Sequence, residues 1–461
     1  MKNKVGLFIA GCLAFFLTAC LGSDDPITYQ IDLDCRIISF RLNSDSIPGL
    51  KKVKFTIDQA NGKIFNIDSL PYGTKVDSVA CIITYNNSTS IYANKVRPQA
   101  TGDTILWQGT DSIYINFSKP VTFEVTAIDQ STTKTYQARV NIHQVNSDSL
   151  AWSLYNNKIL NQNITEQKVV SYTYNNNKVY FMYSRPNEAA NNIKLHYSNV
   201  SDMNNWEELT LRGLPAEGII LTQITVLNNK LYATSYNGVL YSSTDGQNWV
   251  IAENRLPSVK YILGTIKNSE RQPLSVLSTI ISHEGALTFA AMNENSEWKI
   301  GEKVPEKFPL TGFANCSYYN MHNEYLMLAT GRDQNGQQLN TTWSTMNGET
   351  WALLTNEGAN YFTKKEGAIL TYYDDKFFLI GGIDESNVGT KNIHCSIDHG
   401  LTWAIQDTLV VLPEQFTGRG FSSIIVDEDN YINIFGGKTS GNSNDLNEIW
   451  RGRINRLGFK K

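Results

Sequence analysis

The chain has 461 residues, enough for two or three domains that each bury a core of their own. Its 40 Lys and Arg against 44 Asp and Glu leave a net charge of −4, and only 18% of residues are charged. That balance excludes the basic footprint of a nucleic-acid binder. The composition, with 23 tyrosines, suits an all-β chain built to work outside the cytoplasm.

In chain order, Lys2 and Lys4 precede an apolar run from Val5 to Leu17, which ends in Leu17-Thr18-Ala19-Cys20. The run is too short to span a bilayer and has the length of a signal-peptide core. Leu-Thr-Ala-Cys resembles the bacterial lipobox. That resemblance implies that residues 1–19 are removed and that Cys20 carries the lipid, anchoring the protein to a membrane. Residues 20–29 then read as a tether, and its Ser23-Asp24-Asp25 resembles the export signal of Bacteroidetes-type surface lipoproteins. The implied location is the outer membrane, on its cell-surface side.

Residues 30–146 alternate apolar and polar positions at period two. Cys35–Phe40, Lys52–Ile57 and the pair Val121–Ala127 and Thr135–Ile142 read as strands, the last two forming a hairpin that turns over 129–134. Their phrase VTFEVTAIDQSTTKTYQARVNI resembles the closing strands of bacterial immunoglobulin-like or cadherin-like modules, which implies a β-sandwich. Cys35 and Cys81 share this segment and could pair, or remain as buried thiols. Cys316 and Cys395 fall in different repeats, and no bridge is expected between them.

From residue 147 onward the chain is periodic. Trp152, Trp206, Trp249, Trp298, Trp351, Trp403 and Trp450 recur at intervals of about 50 residues, the spacing of propeller repeats. Upstream of most of them stands a polar turn followed by an aromatic and β-branched run, as in Asn228-Asn229-Lys230-Leu231-Tyr232 and Asp374-Asp375-Lys376-Phe377-Phe378. The third repeat has its best candidate turn at His283-Glu284-Gly285, with Ala286–Met292 read as the strand after it. Six repeats of three strands follow residue 160, yet only five Trp-led fourth strands follow them. The Trp152 segment is the spare strand, expected to close the ring against Glu448–Ile454 and so remove exposed edges.

The octet Ser396-Ile397-Asp398-His399-Gly400-Leu401-Thr402-Trp403, with shorter versions ending at Trp249 and Trp351, resembles the Asp-box of sialidases and related propellers. The Gly-Gly pairs at 381–382 and 436–437 resemble kelch repeats. From turn chemistry, Asp245, Asn347 and Asp398 are expected to accept amides of their own turns. Trp249, Trp351 and Trp403 are expected to pack between repeats, a structural role. The whole reading is an all-β protein: an immunoglobulin-like β-sandwich over 30–146, then a six-bladed β-propeller over 147–461. This combination resembles a family of uncharacterised Bacteroidetes surface lipoproteins, which carries no activity over.

No catalytic constellation emerges. The arginine triad of sialidases has no counterpart, Ser184-Arg185-Pro186 being the nearest segment to its first signature. The six histidines lack metal-ligand spacing, and His394 and His399, which flank a turn, are expected at the surface. No phosphate or dinucleotide loop is present, so neither metal nor cofactor is expected. Binding is the better expectation. Arg185, Tyr236, Arg332, Asp384 and Lys438 follow the second strand of five repeats and would converge on one rim. There they could hold a sugar bearing a carboxylate. The expected partner is a glycan or a cell-surface protein; the alternatives are a sialidase-like carbohydrate-active enzyme and a structural component of an outer-membrane assembly.

Overall fold

A computed structural model describes residues 34–456 except 86–87, 95–103, 108–113, 129, 188–191, 216, 253–257, 355–361, 407 and 444. Cys20, the signal segment and the tether lie outside the described residues. The chain divides into two compact units, residues 1–146 and 147–461.

In the first unit two sheets share one apolar core. Ile37–Asn43, Val79–Tyr85 and Tyr114–Ile115 form a three-stranded sheet. Phe55–Asp58, Lys63–Asn66, Thr133–Arg139, Val121–Ala127, Ser88–Asn94 and Thr104–Trp107 form a six-stranded one in that order. All pairs are antiparallel except Lys63–Asn66 with Thr133–Arg139. Val121–Ala127 alternates strictly between buried and half-buried positions, as a period-two pattern with one core face requires. Its Val121, Phe123 and Val125 meet Ile37, Phe40 and Leu42 from the facing sheet. Buried Asn66 is satisfied by exchange with Asn141: the Asn141 amide donates to Asn66 Oδ1 at 2.7 Å, and Asn66 Nδ2 donates back to the Asn141 carbonyl at 2.9 Å. Cys35 and Cys81 are both buried free thiols with no bridge between them, and burial pushes the pKa of Cys81 up to about 12.

Among the described residues, the second unit contains six four-stranded antiparallel sheets. Sheet I is Ile164–Tyr174, Asn177–Pro186, Lys194–Asn199 and Asp202–Leu209. Sheet II is Thr225–Leu227, Lys230–Thr234, Leu240–Ser243 and Val250–Ile251; sheet III is Ser258–Ile266, Val276–His283, Ala286–Asn293 and Trp298–Lys303. Sheet IV is Ala314–Asn320, Asn323–Ala329, Thr342–Thr345 and Ala352–Leu353; sheet V is Ile369–Tyr373, Lys376–Ile380, Ile393–Ser396 and Ala404–Gln406. Sheet VI takes three strands from the end of the unit, Ser423–Val426, Ile432–Phe435 and Ile449–Ile454, and its fourth, Leu150–Asn156, from the start. Trp152 stands opposite Gly452 in that pairing. Trp152 is only partly buried, lying flat where a Cβ on Gly452 would come within 2.4 Å of its ring.

Sheet III corrects one expectation. Glu284-Gly285 joins its second and third strands, so Ala286–Asn293 is the third strand and not the second. The link between its first and second strands is instead the longer segment 267–275.

The turns before the tryptophans explain how neighbouring sheets lock. Asp245 Oδ1 accepts the Gln247 and Asn248 amides at 2.9 and 2.7 Å, and Ser243 Oγ accepts the Gly246 amide. Asn347 accepts the Glu349 and Thr350 amides, both at 3.1 Å, and Asp398 accepts the Thr402 amide at 2.9 Å. The glycine of each turn has positive φ: 76° at Gly246, 79° at Gly348 and 89° at Gly400. Each also touches the sheet before its own. A Cβ would lie 2.4 Å from the Phe181 ring, 2.9 Å from Ser278 and 2.6 Å from Met327, respectively. The Gly carbonyls are used across the same joints, accepting from Tyr183 Oη, Ser278 Oγ and Thr342 Oγ1 at 2.9, 2.9 and 3.1 Å. Trp249 and Trp403 each close the turn by donating Nε1–H to the same glycine's carbonyl.

Candidate functional site

The first strands of sheets I, II, IV, V and VI start at one end of a common lumen. Thr165 and Glu166, Thr222, Thr311 and Gly312, Glu366, and Phe421 line a recess of 470 Å³ at that end, together with Tyr236, Lys438 and Asp445. Further along the same strands, Lys168, Gln223, Asn315, Thr371 and Ser423 line a recess of 290 Å³ that shares Gln167, Thr222 and Gly312 with the first. The polar mouth therefore continues into an interior.

Three of the expected rim residues are already engaged. Arg185, inside the second strand of sheet I, donates Nε–H to Glu166 at 3.0 Å and Nη2–H to the Ile219 carbonyl at 2.7 Å. Arg332 forms a two-pronged pair with Glu366, at 2.7 and 2.5 Å, and a third bond to the Gly336 carbonyl. Glu366 raises the guanidinium pKa of Arg332 above its ordinary value. Asp384 accepts the Ser386 and Val388 amides, both at 3.0 Å, and so caps its own loop. Arg332 and Asp384 share a side recess of 380 Å³ with Lys364 and Glu385, while Tyr236 and Lys438 belong to the central mouth. Arg185 lines neither of these two recesses. The five thus divide between two recesses and a buttress, and the two arginines do not form a clamp for a carboxylate.

What the rim reading missed is the acid in the mouth. Asp445 is 8% exposed, and its Oδ1 accepts the Gly437 amide at 3.0 Å while Oδ2 has no hydrogen-bond partner. Burial, assisted by Glu166, pushes its pKa up to about 7 against the pull of Lys438, the Gly437 amide and Arg419. Gln167 is more deeply buried, at 2% exposed; its Nε2 donates to the Phe435 carbonyl at 2.7 Å and its Oε1 is unpartnered. Tyr236, which lines the same recess, is 67% exposed, an aromatic side chain open to solvent. No signal in the sequence marks Asp445, which follows the polar stretch Ser440-Gly441-Asn442-Ser443. Glu166 and Glu366 could have been found by aligning the residues that enter each first strand.

Arg419 is the buried cation of sheet VI, 3% exposed. It donates to Glu448 at 2.5 Å and to the Gly436 and Thr417 carbonyls, with its guanidinium 4.1 Å from the centre of the Phe416 ring. His394, expected at the surface, is buried in the third strand of sheet V, edge-on to Phe362 at 5.9 Å. Burial, with Lys365 nearby, lowers its imidazole to about 4, and burial also lowers Lys365 to about 8. The pattern failed there because His394 alternates with Ile393 and Cys395 in a strand buried on both faces. His399 is half-buried and stacks on Tyr318, ring centres 5.6 Å apart.

Residues 146–461 match the DUF6242 beta propeller domain, and residues 34–140 match the N-terminal domain of the same family, a domain of unknown function. The chain belongs to this family, and its C-terminal unit is a β-propeller domain. No curated protein matches it. Among solved structures that do is one titled "Structure of YjhT", 14% identical, with 72% of this chain and 91% of that chain covered at a TM-score of 0.29.

Proposed function

We propose that this DUF6242 protein is a lipid-anchored surface protein whose propeller holds a neutral, hydroxyl-rich glycan at the mouth of its lumen, without turning it over. Each of the six sheets is read as one blade, with the segment at Trp152 completing the sixth. The N-terminal unit is read as an immunoglobulin-like sandwich, following the anchor and preceding the propeller in the chain. The observation that carries the binding reading is the 470 Å³ mouth, lined by the exposed ring of Tyr236 together with Asp445 and Gln167, each of which has one side-chain oxygen without a partner. Sugars present hydroxyls that both donate and accept around an apolar CH face, so a buried protonated acid and an amide oxygen in one recess with an exposed aromatic ring match both halves of that chemistry. The ion-paired state of Arg185 and Arg332 favours a neutral ligand over an acidic one.

A glycan array probed with the soluble form, Cys20 replaced, tests this. Tyr236→Ala is expected to weaken binding about tenfold, or about 1.4 kcal/mol. Asp445 holds its proton below about pH 7, where it can donate to a ligand oxygen, and loses it as pH rises through 7. Affinity should therefore fall between pH 6 and 8 in the native protein and stay level in Asp445→Asn, whose amide donates at every pH. An array without a hit, or one that Tyr236→Ala leaves unchanged, ends this reading.

Asp445 also supports a second reading. A protonated acid in one recess with Glu166 and Glu366 is the kind of pairing that carbohydrate-active enzymes use for proton donation. Turnover of the bound glycans, followed by mass spectrometry, separates the two. The anchor has its own test. Cys20→Ala is expected to move the protein from the membrane to the soluble fraction and to remove the acyl mass from the mature N-terminus. Unchanged fractionation and mass would refute it.

A further inference from the structure

The interior of the lumen is chemically unlike its mouth. Below the acids, two recesses of 290 and 240 Å³ follow one another along the first strands, and Lys168 lines both. Among the described residues it is the only charged one lining either recess. The other walls carry neutral groups: Thr222, Gln223, Asn315, Thr371 and Ser423, with the thiol of Cys316, which burial pushes up to about 12 and so keeps uncharged. Among the described residues, no hydrogen bond or ion pair reaches the Lys168 ammonium. Arg185, Arg332, Arg419, Arg451 and Arg456 each have a carboxylate.

Lys168 is half-buried; an ammonium partly withdrawn from water without a counter-charge is unfavourable, and binding an anion relieves it. The surroundings are suited to receive one. Ser423 Oγ accepts the Val169 amide at 2.8 Å, which leaves its hydroxyl hydrogen available to the lumen. Asn315 Nδ2 uses one hydrogen on the Leu263 carbonyl at 2.7 Å and keeps the other. We infer that the lumen of the propeller contains an anion site centred on Lys168, taking a small carboxylate or oxyanion that its hydroxyl and amide neighbours also bind. Burial alone lowers the Lys168 pKa to about 8, which agrees with an ammonium lacking a counter-charge. The groups that would hold the anion, Lys168, Asn315 and Ser423, do not line the proposed glycan mouth, so either site can fail without the other.

The test is calorimetric and thermal titration of the purified protein at constant ionic strength, with sodium phosphate, acetate and chloride as separate arms. At least one anion is expected to bind saturably and raise the melting temperature of the native protein; which arm does so identifies an oxyanion, carboxylate or halide. Lys168→Met and Lys168→Gln should bind that anion at least tenfold more weakly and, at low salt, melt no lower than the native protein. Equal responses in the native protein and either folded variant would overturn the site. Crystals of the native protein soaked in sodium bromide supply a readout that needs no variant. An anomalous peak beside Lys168 Nζ is expected, and a lumen without one, together with no saturable binding in any arm, overturns it as well.

Discussion

A chain that begins at residue 147 is expected to fold and to melt at the temperature of the propeller unit in the full protein. One that begins at residue 161 is expected to melt far lower or to aggregate. The segment between those starting points contains the fourth strand of sheet VI, paired from Leu150 opposite Ile454 to Asn156 opposite Ile449. It also holds the Asp148 and Leu150 amides, which donate to the Asn455 and Leu409 carbonyls. Without it, Ile449–Ile454 becomes a free edge, and the core cluster around Trp450, Ile432 and Ile434 loses the buried Leu150 and the cover of Trp152. Each large side chain uncovered is worth about 1.5–3 kcal/mol, so with the lost ladder the deletion removes a large part of a domain's marginal stability. Trp152→Ala alone should cost less than the about 3–5 kcal/mol of a fully buried tryptophan, because Trp152 is only partly buried. Differential scanning calorimetry with light scattering reads both effects. Equal melting temperatures for the two starting points would mean that the closing strand contributes nothing.

The closing strand was readable because it rests on counting: a repeat period fixes how many strands there must be, and one was found ahead of its ring. The turns before Trp249, Trp351 and Trp403 were readable for a related reason, since Asp, Gly and Trp at fixed offsets are bound to one local geometry. Sheet III was harder because apolar periodicity marks strands without marking which link between them is short. Its tight turn at Glu284-Gly285 joins the second and third strands, where the other sheets put a loop.

The site was the least readable part. Arg332 finds Glu366 from 34 residues away, across two sheets, and Arg419 finds Glu448 from 29. No local spacing signals such pairs, so charges that looked available on a rim were already neutralised. Asp445 and Gln167 stand out only as acceptors left over once every donor around them is assigned. Lys168 stands out only because the five other first strands bring no charge into the interior recesses. Being unpaired is a property of the assembled lumen, not of any segment.

The tryptophan turns imply the second large effect. Trp403→Ala is expected to destabilise the propeller by about 3–5 kcal/mol, measured by denaturant unfolding. Trp403 is 2% exposed, its ring centre 5.6 Å from that of Phe362 and 6.4 Å from that of Phe377, and it shares a core with Met327 and Ala329 of the preceding sheet. Its Nε1–H is bonded to the Gly400 carbonyl at 3.1 Å, and that carbonyl also accepts from Thr342 of sheet IV at 3.1 Å. Truncation therefore opens a cavity between two sheets and loosens the turn that joins them. Trp298 occupies the same place in sheet III but is only partly buried, and its Nε1 has no partner. Its turn keeps the amide-accepting residue, Asn293, at 3.0 and 2.9 Å from the Asn295 and Glu297 nitrogens, but has Ser296 rather than glycine at positive φ. Trp298→Ala should accordingly cost clearly less than Trp403→Ala. The contrast separates two explanations of the repeat. If the tryptophan matters only as the start of a strand, both substitutions cost the same. If it matters as the wedge between sheets, seated by a glycine that touches the sheet before, the cost follows burial and Trp403 is the expensive one. Equal losses at the two positions would rule out the wedge.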